Sequence, residues 1–131
     1  MTFYIVGRTG AQVENIAQLI KNVHGEEHTI IPTYDANCIS FKQEGKRDTF
    51  FVYVKIPTTV AWDRVVMPKD KNGRLISPVI NDFMQSKFVD DQIVFVNGRF
   101  EHLADYTIDE NDMLINTAND IWEYIRKCAE E

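Results

Sequence analysis

The stretch Gln92-Ile93-Val94-Phe95-Val96-Asn97-Gly98-Arg99-Phe100 decides how this chain is read. Apolar and aromatic residues flank Asn97-Gly98, and Asn-Gly is the dipeptide that best accommodates the positive backbone dihedrals of a two-residue hairpin turn. The pattern predicts two antiparallel strands, Ile93-Val94-Phe95-Val96 and Arg99-Phe100-Glu101-His102-Leu103. A second hairpin is predicted upstream, with arms at residues 37–43 and 49–56 around the turn Glu44-Gly45-Lys46-Arg47-Asp48. In its second arm, Phe50 to Val54 are apolar on both faces, which places that strand centrally in a sheet covered on both sides.

Outward from these hairpins the elements follow in order. Thr2 to Val6 is a β-branched and aromatic run ending at Gly7, the first strand. From Gln12 to His24, Val13, Ile16, Ala17, Ile20 and Val23 recur at helical spacing, and Gly25 supplies the stop. His28 to Pro32 reads as a short strand. Residues 57–74 fit a short helix capped at Thr58-Thr59 and also an alternating strand, and the polar turn 69–74 with its Asn72-Gly73 step forms an exposed tip. Ser77-Pro78 opens a further helix. Thr107-Ile108-Asp109-Glu110 has the spacing of a capping box, predicting a last helix from there to about Ala129, with Leu114, Ala118, Ile121, Ile125 and Cys128 as its buried stripe. The sum is a single α+β domain over residues 1–131: a mostly antiparallel sheet of five or six strands, with two or three helices on one face.

Composition supports a packed domain. In 131 residues, 44% are hydrophobic and 26% charged, ordinary globular values. Runs such as Phe50 to Val54 and Ile93 to Val96 are far shorter than the roughly 20 residues of a membrane-spanning helix. The first eight residues lack the basic and long apolar regions of a secretion signal, so a cytoplasmic location is expected. The two cysteines, Cys38 and Cys128, have no metal or redox spacing and read as reduced thiols. Charge is uneven: residues 1–87 carry 11 Lys/Arg against 9 Asp/Glu, net +2, and residues 88–131 carry 3 against 11, net −8. That balance argues against direct nucleic-acid binding, which needs clustered cations, and it allows one acidic face.

Candidate sites are few. Val6-Gly7-Arg8-Thr9-Gly10-Ala11 joins the first strand to the first helix, where free amides, a hydroxyl and an exposed guanidinium suit an anion. The string follows a phosphate-binding loop at its start, but Gln12-Val13-Glu14 stand where Gly-Lys-Ser/Thr would end one, which argues against ATP hydrolysis. His24-Gly25-Glu26-Glu27-His28 spells a zinc-protease pattern, yet Gly25 breaks the helix that would bring both imidazoles together. Cys38 and His102 show no activating neighbour, so no catalytic group, metal or cofactor is assigned. Asp105, Asp109 and Asp112, with Trp62 and Tyr106 in or beside irregular segments, are candidate contacts for a partner with a basic surface.

The leading expectation is a small non-enzymatic binding protein that inhibits or adapts a macromolecular partner, of the kind that phages and immunity loci encode for host interaction. The alternative is a nucleotide or phosphate-ligand protein using Gly7 to Gly10, assisted by Arg47 or Arg74. A third is an enzyme of unrecognised type. The apolar stripe of the last helix also permits a homodimer.

Overall fold

The computed structural model describes residues 1–25, 27–40, 48–67, 70–74 and 78–130, the side chains of 78–81 excepted. Its strands are β1 (Thr2–Val6), β2 (Thr29–Thr33), β3 (Thr49–Lys55) and β4 (Tyr106–Asp109). They form one sheet in the order β2-β1-β3-β4, and every neighbouring pair is parallel. The register sets Thr2 opposite both Thr29 and Thr49, and Val52 opposite Tyr106.

This corrects the expected antiparallel sheet of five or six strands. Parallel neighbours require a crossover between them. Here helical segments supply it: α1 (Val13–His24) lies between β1 and β2, and α2 (Thr58–Val65) and α3 (Pro78–Asp91) lie between β3 and β4, while α5 (Leu114–Glu130) follows β4 and packs back on the sheet. The fold is therefore α/β. Alternation sorts the strand side chains into two cores. Phe3, Ile5, Val52 and Val54 pack with α1 and α5 through Val13, Ile16, Ile20, Ala118, Ile121 and Ile125. On the other face, Val6, Phe51 and Tyr53 pack with Cys38, Phe95 and Phe100. Helices thus cover both faces, and β3, apolar on both sides, lies between β1 and β4.

The Asn97-Gly98 hairpin does not form. Gln92–Asn97 is a π-helical turn running on from α3, and Phe100–Leu103 is a short helix, α4. The Gly98 N–H donates to the Ile93 carbonyl at 2.9 Å, and Gly98 sits at φ −77°, outside the left-handed region a hairpin turn needs. A Cβ on Gly98 would come within 2.5 Å of the Val94 carbonyl oxygen, so the glycine allows a helical close approach. The left-handed residue is Arg99, at φ 52°. Phe95 and Phe100, predicted on opposite hairpin arms, instead meet edge to face at 5.2 Å against Tyr53.

Two other expectations also change. In the predicted strand 37–43, Ala36–Ile39 is a 3-10 turn capped by Asp35, whose carboxylate accepts from the Asn37 N–H at 2.9 Å; residues 41–47, with the predicted turn and Arg47, lie outside the described residues. The capping box at Thr107 is instead strand β4, and α5 begins only at Leu114. Asn111 introduces that helix, its side chain accepting from the Met113 N–H at 2.9 Å. Glu110 does not turn back on its own helix because its carboxylate is bound elsewhere.

Candidate functional site

The β1–α1 loop emerges at the carboxyl edge of the sheet. From β1 the chain crosses to β2 on one side, and from β3 to β4 on the other, so β1 and β3 flank the crevice where parallel sheets characteristically receive ligands. Gly7 is required there by close approach: an added Cβ would lie 2.8 Å from Ala11 Cβ, 2.9 Å from Val13 Cγ1 and 3.2 Å from the Val54 carbonyl oxygen. Gly10 is required by its dihedral, φ +104°.

Four N–H groups in and beside the loop are engaged within the fold. Gly7 donates to the Thr33 carbonyl at 3.2 Å and Ala11 to the Arg8 carbonyl at 3.0 Å, contacts that shape the turn. The Thr9 N–H donates to Asp91 Oδ2 at 2.8 Å, and the Gln12 N–H, at the start of α1, donates to Glu110 Oε1 at 2.9 Å. Both carboxylates are almost wholly covered, their side chains 4% and 5% exposed. Each keeps a cation on its other oxygen: Lys87 Nζ lies 2.9 Å from Asp91 Oδ1, and Arg64 Nη1 lies 2.6 Å from Glu110 Oε2. Negative oxygens at the amino end of a helix match its dipole and its unpaired donors.

Arg8 departs from the exposed position expected of it. It is 1% exposed, its Nη1 donating to Gln92 Oε1 at 2.8 Å and its Nη2 to the Phe88 carbonyl at 3.4 Å, with the guanidinium carbon 4.7 Å from the Phe88 ring centre. Burial works against its charge, while Asp91 and Tyr53 work for it. Gln92 Oε1 also accepts from the Thr58 hydroxyl at 3.4 Å, so one amide ties the loop to the start of α2. Beside this cluster lies a cleft of about 400 Å³ lined by Thr33, Tyr34, Asp35, Lys87, Asp90, Asp91 and Phe95, among others.

In fold the chain is similar to shikimate kinases. The shikimate kinase of Aquifex aeolicus vf5 is 14% identical, with a TM-score of 0.61 over 98% of each chain. That of Acinetobacter baumannii, solved in complex with shikimate, is 14% identical, with a TM-score of 0.61 over 96% of this chain and 93% of its own. That of Bacteroides thetaiotaomicron is 10% identical, with a TM-score of 0.50 over 97% and 98%. No family model and no curated protein matches the chain. This architecture corrects the expectation of a non-enzymatic protein, since the fold is one on which these enzymes are built, and it lends no support to an inhibitor of the phage or immunity type. No helix among the described residues is long and apolar enough to cross a membrane.

The other candidate residues are dispersed. Asp105 is engaged in the sheet: its carboxylate accepts from the Phe51 N–H at 2.8 Å, and its own N–H donates to the Phe51 carbonyl at 2.9 Å. Asp109 and Asp112 are exposed, one at the end of β4 and one beyond it. Tyr106 is half-buried, stacked on Tyr124 with centroids 4.6 Å apart, and burial raises the pKa of its hydroxyl. Trp62 is 40% exposed on α2 and meets Phe88, the ring that lies against Arg8, edge to face at 5.1 Å. Arg74 is exposed. His24 closes α1 and stacks on Trp122 at 4.3 Å, while His28 precedes β2. Cys38 is buried and its thiol is pushed up to about 11 by desolvation and by Asp35, which suppresses the nucleophilic thiolate. Phe88, Asp91, Gln92 and Glu110 were not identified from the sequence. They reach the loop from 80 or more positions away, beyond any local motif.

Proposed function

We propose that the chain binds a nucleotide or related phosphate ester at the loop Gly7 to Gly10. The observation that carries this reading is that the Thr9 and Gln12 amides, at the crevice between β1 and β3, each hold an anionic oxygen. A phosphate presents the same acceptor oxygens with more charge, and the likeness in fold to shikimate kinases supports a nucleotide as its bearer. With Gln12, Val13 and Glu14 after the loop, no ammonium or hydroxyl follows it as in a phosphate-binding loop. Recognition therefore rests on backbone donors and the helix dipole.

The test is a thermal-shift and calorimetric titration with pyrophosphate and with nucleoside mono-, di- and triphosphates. A ligand at a hundred times its dissociation constant stabilises by about 2.7 kcal/mol, a readily measured shift. Binding of a nucleotide in preference to inorganic phosphate is the expected result. No binding up to millimolar concentration, by this protein and by its Asp91→Asn variant alike, overturns the reading.

A further inference from the structure

Resting on that reading, we propose that Asp91 is a built-in competitor for the phosphate: its carboxylate closes the loop, and ligand binding requires its release from Thr9. The contact is an anion site already filled by the chain's own anion. Asp91 Oδ2 accepts from the Thr9 N–H at 2.8 Å with the side chain 4% exposed, so a phosphate oxygen and this carboxylate contend for one donor.

Three observations point to a releasable contact. First, Asp91 has a second holder: Lys87, one turn back on α3, lies 2.9 Å from Oδ1, so a carboxylate that leaves Thr9 keeps a cation and is not stranded. Second, the chain turns π-helical immediately after it, at Gln92–Asn97. Such turns are rare and recur at functional sites. Ile93, Val94 and Val96 in that turn are 55%, 45% and 39% exposed, so its hold on the fold runs through Phe95 and through Gln92, which Arg8 and Thr58 bind. Third, Asp91 also lines the cleft shared with Lys87, Asp90 and Tyr34, so a space of about 400 Å³ adjoins it.

A site that is available only part of the time binds more weakly by that fraction. Removing the competitor therefore tightens binding. A charge-assisted hydrogen bond of this type corresponds to about ten- to a hundredfold in affinity. The experiment measures pyrophosphate and ATP affinity by calorimetry for the wild type, Asp91→Asn and Asp91→Ala, with folding checked by thermal melting. The asparagine keeps the shape and an acceptor oxygen, so it decides the matter if the alanine variant does not fold. The Thr9 amide resonance, followed by NMR, reports the contact directly. Tighter binding in Asp91→Asn, with a Thr9 resonance that shifts on mutation and again on ligand addition, supports the proposal. Equal or weaker binding in the variant overturns it and leaves the nucleotide reading standing. Absence of binding in every form overturns both.

Discussion

Arg64 and Glu110 meet at 2.6 Å across the mouth of the loop that follows β1, and the same guanidinium nitrogen donates to the Gly10 carbonyl at 3.0 Å. Glu110 in turn holds the first amide of α1, at Gln12. One ion pair thus ties α2, the loop, the start of α1 and the end of β4 together. Arg64 is partly exposed and Glu110 is not, so the pair ranks between a surface and a buried one. Arg64→Ala is expected to cost about 1–2 kcal/mol. A double-mutant cycle with Glu110→Gln in urea denaturation measures the coupling, and a coupling energy near zero would refute this account of the loop.

Arg8→Ala is expected to destabilise strongly. The residue is fully covered, with Phe88 against its guanidinium and Gln92 on Nη1. Truncation removes both packing and a cation near Asp91, costing about 2–4 kcal/mol. Arg8→Lys keeps the charge but lacks the planar fork, and should recover only part of the loss. Chemical denaturation of the three proteins checks the order; a near-silent alanine substitution would contradict it.

Gly7→Ala tests the close approach between the loop and α1. The added Cβ meets Ala11, Val13 and the Val54 carbonyl, none of which has a flexible end to move aside. Overpacking of this kind costs about 1–3 kcal/mol. The expected result is a lower melting temperature, together with displaced amide resonances for the loop, Thr9 included. An unchanged melting temperature would show that α1 can shift to make room.

Alkaline pH should weaken the fold through Cys38 and Tyr53. Burial raises both, the thiol from 9.0 to about 11 and the phenol from 10.0 to about 12. A group whose pKa is higher in the folded state favours folding below its unfolded value. That advantage is lost as pH rises through the folded one, since only the unfolded chain ionises freely in between. Stability should therefore fall from pH 9 toward 11 for the thiol and from 10 toward 12 for the phenol. Cys38→Ala should flatten the first part of that fall whatever its effect on absolute stability. Melting curves across the range measure it, and identical pH slopes for the two proteins would remove Cys38 as a cause.

What the sequence alone determined here is local. The run Thr2–Val6, the stripe Val13, Ile16, Ala17 and Ile20, and the two-faced apolar segment around Val52 each specify which sides of an element are buried, because side-chain period follows backbone geometry. The placement of Gly7 to Gly10 between a strand and a helix belongs to the same class of information. Strand direction does not: parallel and antiparallel neighbours bury the same alternating faces, and it is the crossovers, through α1 from β1 to β2 and through α2 and α3 from β3 to β4, that make these neighbours parallel. Asn97-Gly98 carries a hairpin preference of the order of a single turn's energy, and the packing of Phe95 and Phe100 on Tyr53 outweighs it. The loop's chemistry was likewise decided by the tertiary structure. Asp91 and Glu110 lie 82 and 98 positions from the amides they bind, and folding alone brings carboxylates from such distances to the amino end of α1.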